Sequence, residues 1–509
     1  MTPLPDPTGS PVGAGPAAFT TPLAEGADVH SHHSRKVADS GKVVDSRVFV
    51  DEVPPGADSG MTGMEAVMWR TGREPLLRSP IVLVHVLDSA PDWSRLVEEW
   101  TRLTVQVPRL RERVVEPAGG IGTPRWAPDP HFEFDHHLHR VRLPAPGDLR
   151  QLLDLAQLME RTPFDPSRPL WEAVLVEGLD GDRAGFLLKL HHSSMDGLSV
   201  QRMMSLAFGR APDERPGPGR LRVLEPLDGE DRERHGLLGR SAAVLGEGRR
   251  LVGRVLRQPF GTLLHAQRLV DSAFRVLLPG LGDTSPLLAR RSTSRRFDVL
   301  EVPLDVMRET ASRHGVSVND VFVATVLGGI RRYHEGHGVT LDTLPVAIPI
   351  AMENGARSSG NSFTVGRFPA PVGETDNARR MRVVSDLIAS ARAEEAAAAP
   401  VHLAELLVPL PTPAVIPLFR RVAGAHDVQL SSMKAFTEPV YLAGARVQRL
   451  YPFGPLPGGA ISVTMVWFDG NCCIGVNLDP ASVAEAGMLV RCLEVEFEAV
   501  VDAVRRAGR

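Results

Sequence analysis

Phe186-Leu187-Leu188-Lys189-Leu190-His191-His192-Ser193-Ser194-Met195-Asp196-Gly197 is the stretch that decides the fold and the chemistry. Its first five residues are apolar enough for a buried strand, and that strand runs directly into two imidazoles. Histidine titrates near neutrality, so a neutral ring where a strand emerges can take a hydroxyl proton as the oxygen attacks a carbonyl. Such assistance is worth about 100- to 10,000-fold. His192 is the candidate general base, and His191 and Asp196 complete the candidate catalytic set. Asp196 is expected to turn back beneath the loop and hold its shape, pairing with an arginine, since neighbours on one short turn seldom align as a relay. Gly197 follows with a backbone free to enter the left-handed region in a tight turn.

Working outward, residues 171–177 and 185–190 read as two strands, with Gly178, Asp180, Gly181 and Asp182 as the turn of a hairpin. Residues 81–87 form a further strand. Helical patterns cover 93–103, 149–160 and 198–208. Residues 1–60 are rich in Pro, Gly, Ala and Ser and read as a disordered extension. The cluster His30-Ser31-His32-His33 lacks cysteine or carboxylate partners in a folded frame, so it is assigned to a solvated tail and no metal site is expected. Residues 61–209 make the N-terminal lobe. Residues 210–290 are a linker with a crossover helix, in which Val244, Leu245, Leu251, Val252, Val255 and Leu256 recur at helical spacing between arginines. Residues 291–509 make a second lobe of alternating strands and helices: strand 296–303, helices 305–314 and 318–333, strand 343–351, helix 381–399, and a final helix 484–506. The recurrence gives an α/β protein of mixed sheets in two lobes.

The chain of 509 residues carries a formal net charge of −4, which gives no field for a phosphate backbone, and nucleic acid is excluded as a partner. No apolar run reaches the roughly 18 residues of a membrane span. The three cysteines, Cys472, Cys473 and Cys492, lack CxxC spacing, which argues against a disulfide framework or a zinc site. With no secretory signal at the start, a cytoplasmic location is expected; packing between the lobes is the first reading of the basic amphipathic stretch, and peripheral contact at the inner membrane face or a lipid droplet the second.

Two adjacent histidines, three residues, then Asp-Gly at the end of an apolar strand match the HHxxxDG signature, and the sequence resembles the coenzyme A-dependent acyltransferase superfamily. A second stretch, Pro163-Phe164-Asp165-Pro166-Ser167-Arg168-Pro169-Leu170-Trp171-Glu172, resembles the PLW segment of bacterial wax ester synthase/diacylglycerol acyltransferases. At the residue level Pro169, Leu170 and Trp171 read as a turn that buries an indole where the next strand begins. Asn319-Asp320 resembles the family's ND motif. Asn319 is an N-cap candidate and Asp320 complements the helix dipole, so both are expected to support the site. Likeness extends to Leu110-Arg111-Glu112-Arg113, Trp126, and Gly360-Asn361-Ser362. The family's usual Ser-Asn-Val-Pro-Gly-Pro stretch is replaced by Ser431-Ser432-Met433-Lys434-Ala435-Phe436, a departure in a loop that bears on the acyl or acceptor preference.

The resemblance implies two chloramphenicol acetyltransferase-like lobes with a tunnel between them. Acyl-coenzyme A enters as a substrate and not as a bound cofactor, a diacylglycerol or long-chain alcohol is the acceptor, and His192 sits midway. Two other readings differ in class: a condensation-type acyltransferase that takes its acyl group from a carrier protein, and a non-catalytic relative that binds lipid. The PLW segment argues against the first and the intact histidine pair against the second.

Overall fold

Apolar residues alternate along Val82, Val84 and Val86, and along Phe186, Leu188 and Leu190, and both runs become central strands of one sheet. The computed structural model describes residues 59–120, 122–215, 284–351, 363–393, 404, 405, 407, 408 and 410–507. The extension up to residue 58, most of the 210–290 stretch including the amphipathic helix expected there, and Gly360 and Asn361 lie outside the described residues.

The first half of the chain forms β1 (Ser59–Gly60), α1 (Gly63–Thr71), β2 (Pro80–Leu87), α2 (Trp93–Gln106), β3 (Glu112–Val115), β4 (Arg125–Pro128) and β5 (Leu138–Arg142). It continues through α3 (Leu149–Arg161), β6 (Trp171–Glu177), β7 (Ala184–His191) and α4 (Gly197–Ala207). After residue 283 come β8 (Arg296–Pro303), α5 (Leu304–His314), α6 (Val318–Gly336), β9 (Leu344–Ala351), β10 (Phe363–Ala370), α7 (Asn377–Ala393) and α8 (Thr412–Ala423). The last elements are β11 (Val428–Lys434), β12 (Tyr441–Leu442), β13 (Ala445–Phe453), β14 (Ile461–Phe468), β15 (Asn471–Leu478) and α9 (Ala486–Ala507).

Two mixed sheets of six strands carry the lobes, ordered β12-β13-β2-β7-β6-β5 and β10-β9-β11-β14-β15-β8. The expected hairpin is β6 and β7, paired antiparallel from Trp171 opposite Leu190 to Val176 opposite Gly185. One connection breaks chain order: β13 leaves the second half and pairs antiparallel with β2 in the first sheet, with Phe453 opposite Val82. The second half of the chain therefore supplies a strand to the first lobe's sheet, and the lobes meet where Phe453 stacks on Phe297 of β8 at 3.9 Å. The segment entering β8 is fastened as well. Ser285 is buried, its N–H donates to Asp427, and its hydroxyl meets His334 Nε2 at 2.7 Å.

Strand alternation sorts the second sheet into two faces. Val346, Ile348, Val428, Leu430, Val463, Met465, Ile474 and Val476 pack with α6 and α9 in one core. Val466, Phe468 and Cys473, of opposite parity, join the core of the first lobe, so their face looks toward that lobe.

Candidate active site

His191 and His192 stand where β7 ends, and adjacent side chains on a strand diverge. The His191 ring is buried between Trp69 and Phe164, edge-on at 6.1 and 5.9 Å. Its Nδ1 accepts the Ser193 N–H at 3.1 Å and lies 2.7 Å from the Ser193 hydroxyl. A Cβ on Gly72 would stand 3.2 Å from its Nε2, so a larger residue there would press on the buried ring. Burial, with His192 and Lys189 adding repulsion, pushes the His191 pKa down to about 3. It is a neutral ring with its Nδ1 already engaged.

His192 is half-buried, and its main-chain N–H donates to Ser79 O at 2.9 Å. Burial pushes its pKa below the ordinary histidine value, while a bond to its own main-chain carbonyl and the Asp196 charge pull upward. The ring is neutral at pH 7, the state a general base needs. Lys189, two residues earlier, is fully buried. Its ammonium donates to Thr162 O at 2.7 Å and Glu172 at 3.2 Å, and lies over the Phe164 ring at 4.0 Å. The Pro163-Phe164 part of the PLW segment thus seals the strand that carries the histidines.

Trp171 does what its position predicts. Its indole is buried, donates to Leu110 O at 2.8 Å, and stacks on His137 at 4.6 Å and Trp100 at 5.7 Å. Leu170 packs with Trp126 and Val114, and its carbonyl accepts the His191 N–H. Pro169 closes the turn through the Trp171 N–H.

Three local expectations are corrected. Gly197 has no left-handed backbone; it is the first residue of α4, and Asp196 is that helix's N-cap, accepting the Ser199 N–H at 2.8 Å. A Cβ on Gly197 would come within 2.8 Å of Met433 Cε, the flexible end of a side chain from the other lobe, which would have to move aside. Asn319 is not the cap of α6. Ser317 is, in a capping box with Asp320, because Ser317 is the residue three before a carboxylate. Asn319 accepts the Ser432 hydroxyl at 2.6 Å instead. The third correction concerns Ser431-Phe436: its first four residues belong to β11, paired in parallel with β14, and are not a loop.

That strand draws the separate motif matches together. Ser432 holds Asn319, Met433 covers Gly197, and Phe436 packs edge-on against Phe208 of the first lobe at 5.5 Å. Sequence gave no warning of these partners, which lie over a hundred positions apart. No group of three or more His, Cys, Asp or Glu side chains suited to a metal occurs among the described residues, and none of their helices is long and apolar enough to cross a membrane.

Comparison with known proteins gives the chain its relatives. The sequence profile of the wax ester synthase/diacylglycerol acyltransferase catalytic domain matches residues 65–322, and that of the family's C-terminal domain matches 359–500. A putative diacylglycerol O-acyltransferase of Mycobacterium tuberculosis is 35% identical over 448 residues, covering 86% of this chain and 91% of the relative. Another from that organism is 29% identical over 448 residues, covering 83% and 93%. Among solved structures, the wax ester synthase/diacylglycerol acyltransferase of Marinobacter aquaeolei shares the fold at 17% identity and a TM-score of 0.59, over 87% of this chain and 98% of that one. The first condensation domain of the calcium-dependent antibiotic synthetase does so at 15% and 0.55, over 88% and 97%. The chain belongs to the wax ester synthase/diacylglycerol acyltransferase family.

Proposed function

We propose that the protein moves a long-chain acyl group from a coenzyme A thioester to the hydroxyl of a diacylglycerol or a long-chain alcohol, with His192 as general base. The observation that carries this reading is the half-buried His192 at the end of β7, four residues before the Asp196 cap of α4, with burial lowering its pKa so that the ring is neutral at pH 7. With Nδ1 buried toward its own main chain, Nε2 is the nitrogen for the acceptor. It takes the hydroxyl proton as the oxygen attacks the thioester carbonyl. The tetrahedral intermediate then collapses, the carbon–sulfur bond breaks, and the imidazolium returns the proton to the departing thiolate. No acyl-enzyme is required.

His191 supports this by position, since its packed ring fixes the strand end. Asp196 acts through charge and as a cap, raising the His192 pKa and anchoring α4 beside it. Both substrates are lipids, and the basic amphipathic stretch at 244–256 is proposed to rest on an anionic membrane. Liposome binding unchanged after its apolar residues are made polar would end that part.

The test is product formation from palmitoyl-coenzyme A with hexadecanol or dipalmitoylglycerol. Ester from either acceptor is the expected result and ranks the two. Turnover only with an acyl group on a carrier protein would replace this reading with the condensation-type one. Lipid binding with no turnover of any donor would replace it with the non-catalytic one.

A further inference from the structure

Strand β13 breaks its own alternation. Between Val447 and Arg449 its pairing with β2 slips by one residue: Val447 faces Leu87, Arg449 faces Val86, and Gln448 is the extra residue of a bulge. In a regular strand Arg446 would share a face with Gln448, opposite to Arg449 and Tyr451. The bulge instead gathers Arg446, Arg449 and Tyr451 on the face that carries Val86. Together they form one wall of a cavity.

The cavity holds about 430 Å³, the size of a small-molecule site, and lies where the lobes meet. Val86, Leu149 at the start of α3, and Leu179 supply its apolar side. Arg183, in the turn between β6 and β7, adds a third guanidinium, while Glu301 of β8 and Asp469, between β14 and β15, come from the second lobe. The histidines are far away. Val86 is six residues along β2 from Pro80, the partner of His191, which is roughly 20 Å at the rise of a strand. On β13 the stacked Phe453 lies between the cavity and that end of the sheet.

Each guanidinium is held at one edge and spare at another. Arg449 Nε donates to Glu301 at 2.6 Å and Nη1 to the Gln448 carbonyl at 2.8 Å, which leaves Nη2. Arg446 Nη2 donates to Asp469 at 2.8 Å, which leaves Nε and Nη1. Arg183 gives Nε and Nη2 to Asp180 and keeps Nη1. No described residue accepts from these remaining groups. Glu301 is fully committed, since its other oxygen accepts the Tyr451 hydroxyl. Three guanidiniums therefore outnumber two carboxylates around the cavity. Solvent reaches it, with Arg446 45% and Arg183 36% exposed. Forks already fixed at one edge are pre-organised, so little freedom is lost when the other edge meets an anion.

We propose that this cavity is a binding site for a phosphate monoester on a small apolar body, a ligand distinct from the thioester donor. The spare N–H groups of Arg183, Arg446 and Arg449 take the phosphate oxygens, and Val86, Leu149 and Leu179 receive the apolar part. A phosphate monoester fits better than a carboxylate, because forks from three places in the chain meet in one cavity and a carboxylate has only two oxygens to offer them. The site stands on the cavity and its arginines, whichever acyl donor and acceptor the protein uses.

Calorimetric titration of the full chain with phenyl phosphate and with inorganic phosphate tests it, in the parent, Arg446→Gln, Arg183→Gln and Asp469→Asn. Phenyl phosphate is expected to bind saturably and more tightly than inorganic phosphate. Arg446→Gln and Arg183→Gln should each weaken it about tenfold. Their urea midpoints should match the parent's, because both ion pairs lie at the surface. Asp469→Asn releases Arg446 and keeps the turn, since asparagine tolerates the φ of 43° there. It should tighten binding a few-fold, which a loss of structure cannot mimic. Saturating coenzyme A should leave the phenyl phosphate affinity unchanged. Affinity in Arg446→Gln equal to the parent's would overturn the proposal, as would the lack of saturable binding in the parent. Displacement of phenyl phosphate by coenzyme A would overturn it too, by putting the probe in the donor's own site.

Discussion

Lys189 in the first sheet and Arg367 in the second are strand-borne cations on inward faces, and they are treated in opposite ways. Lys189 has a carbonyl, a carboxylate and an aromatic ring around its ammonium, whereas no described residue bonds to the Arg367 guanidinium. The contrast extends to their surroundings. Near Lys189, Glu160 meets Arg295 at 3.5 Å and His191 is engaged by Ser193, while on the sheet face that carries Arg367 the Ser462 and Thr464 hydroxyls and Asn477 Oδ1 are buried without a hydrogen bond. Polar groups buried in the first sheet hold the strand that carries His192 in place. Those on the second sheet face the other lobe with these atoms uncommitted.

The largest expected effect that would break this comparison is on stability. Lys189→Met leaves Glu172 without its cation and Thr162 O without a donor, and should cost about 2 kcal/mol in urea unfolding, less than a wholly buried pair because Glu172 is partly exposed. Arg367→Met should cost nothing. Equal losses in the two variants would erase the distinction. A smaller effect is expected where the faces meet. Gly197→Ala pushes the flexible end of Met433 aside and should destabilise by about 1 kcal/mol, and Met433→Ala in the same chain should recover most of it. Additive losses in that cycle would mean the contact does not join the lobes.

The smallest effect is on pH dependence. A base whose pKa is lowered by burial is neutral above that pKa, so ester formation should hold level through neutrality and fall only as pH drops below 6.5 and through the His192 pKa. Asp196 raises that pKa. Asp196→Asn keeps an N-cap but removes the charge, so the acid limb should move to still lower pH. A limb that moves upward, or a profile rising only above pH 8, would remove His192 as the titrating base.

Much of this architecture is legible in the sequence wherever a local pattern has a local cause. The apolar run ending in His191-His192, the buried indole of Trp171 and the two-lobed alternation of strands and helices follow from periodicity and turn chemistry. Local reading failed where the cause is distant. Gly197 looks like a turn glycine because Met433, whose side-chain end packs against it, is 236 positions away. Asn319 looks like a cap because Ser317 and Asn319 are both good caps, and only Asp320 three residues after Ser317 decides between them. The polar face of the second sheet left a faint trace in Ser462-Val463-Thr464, an alternation that normally marks a solvated face. Here the other lobe buries that face instead, and β13 crossing between the sheets is the long-range pairing that brings this about.

The central claim is that His192 abstracts the acceptor's proton while its neighbour holds the strand. Ester formation by folded His192→Ala, with coenzyme A affinity measured on the same sample, tests it most directly. A rate lower by about 100- to 10,000-fold with affinity within about twofold of the parent's is the predicted result. Ester formation at the parent's rate would contradict it.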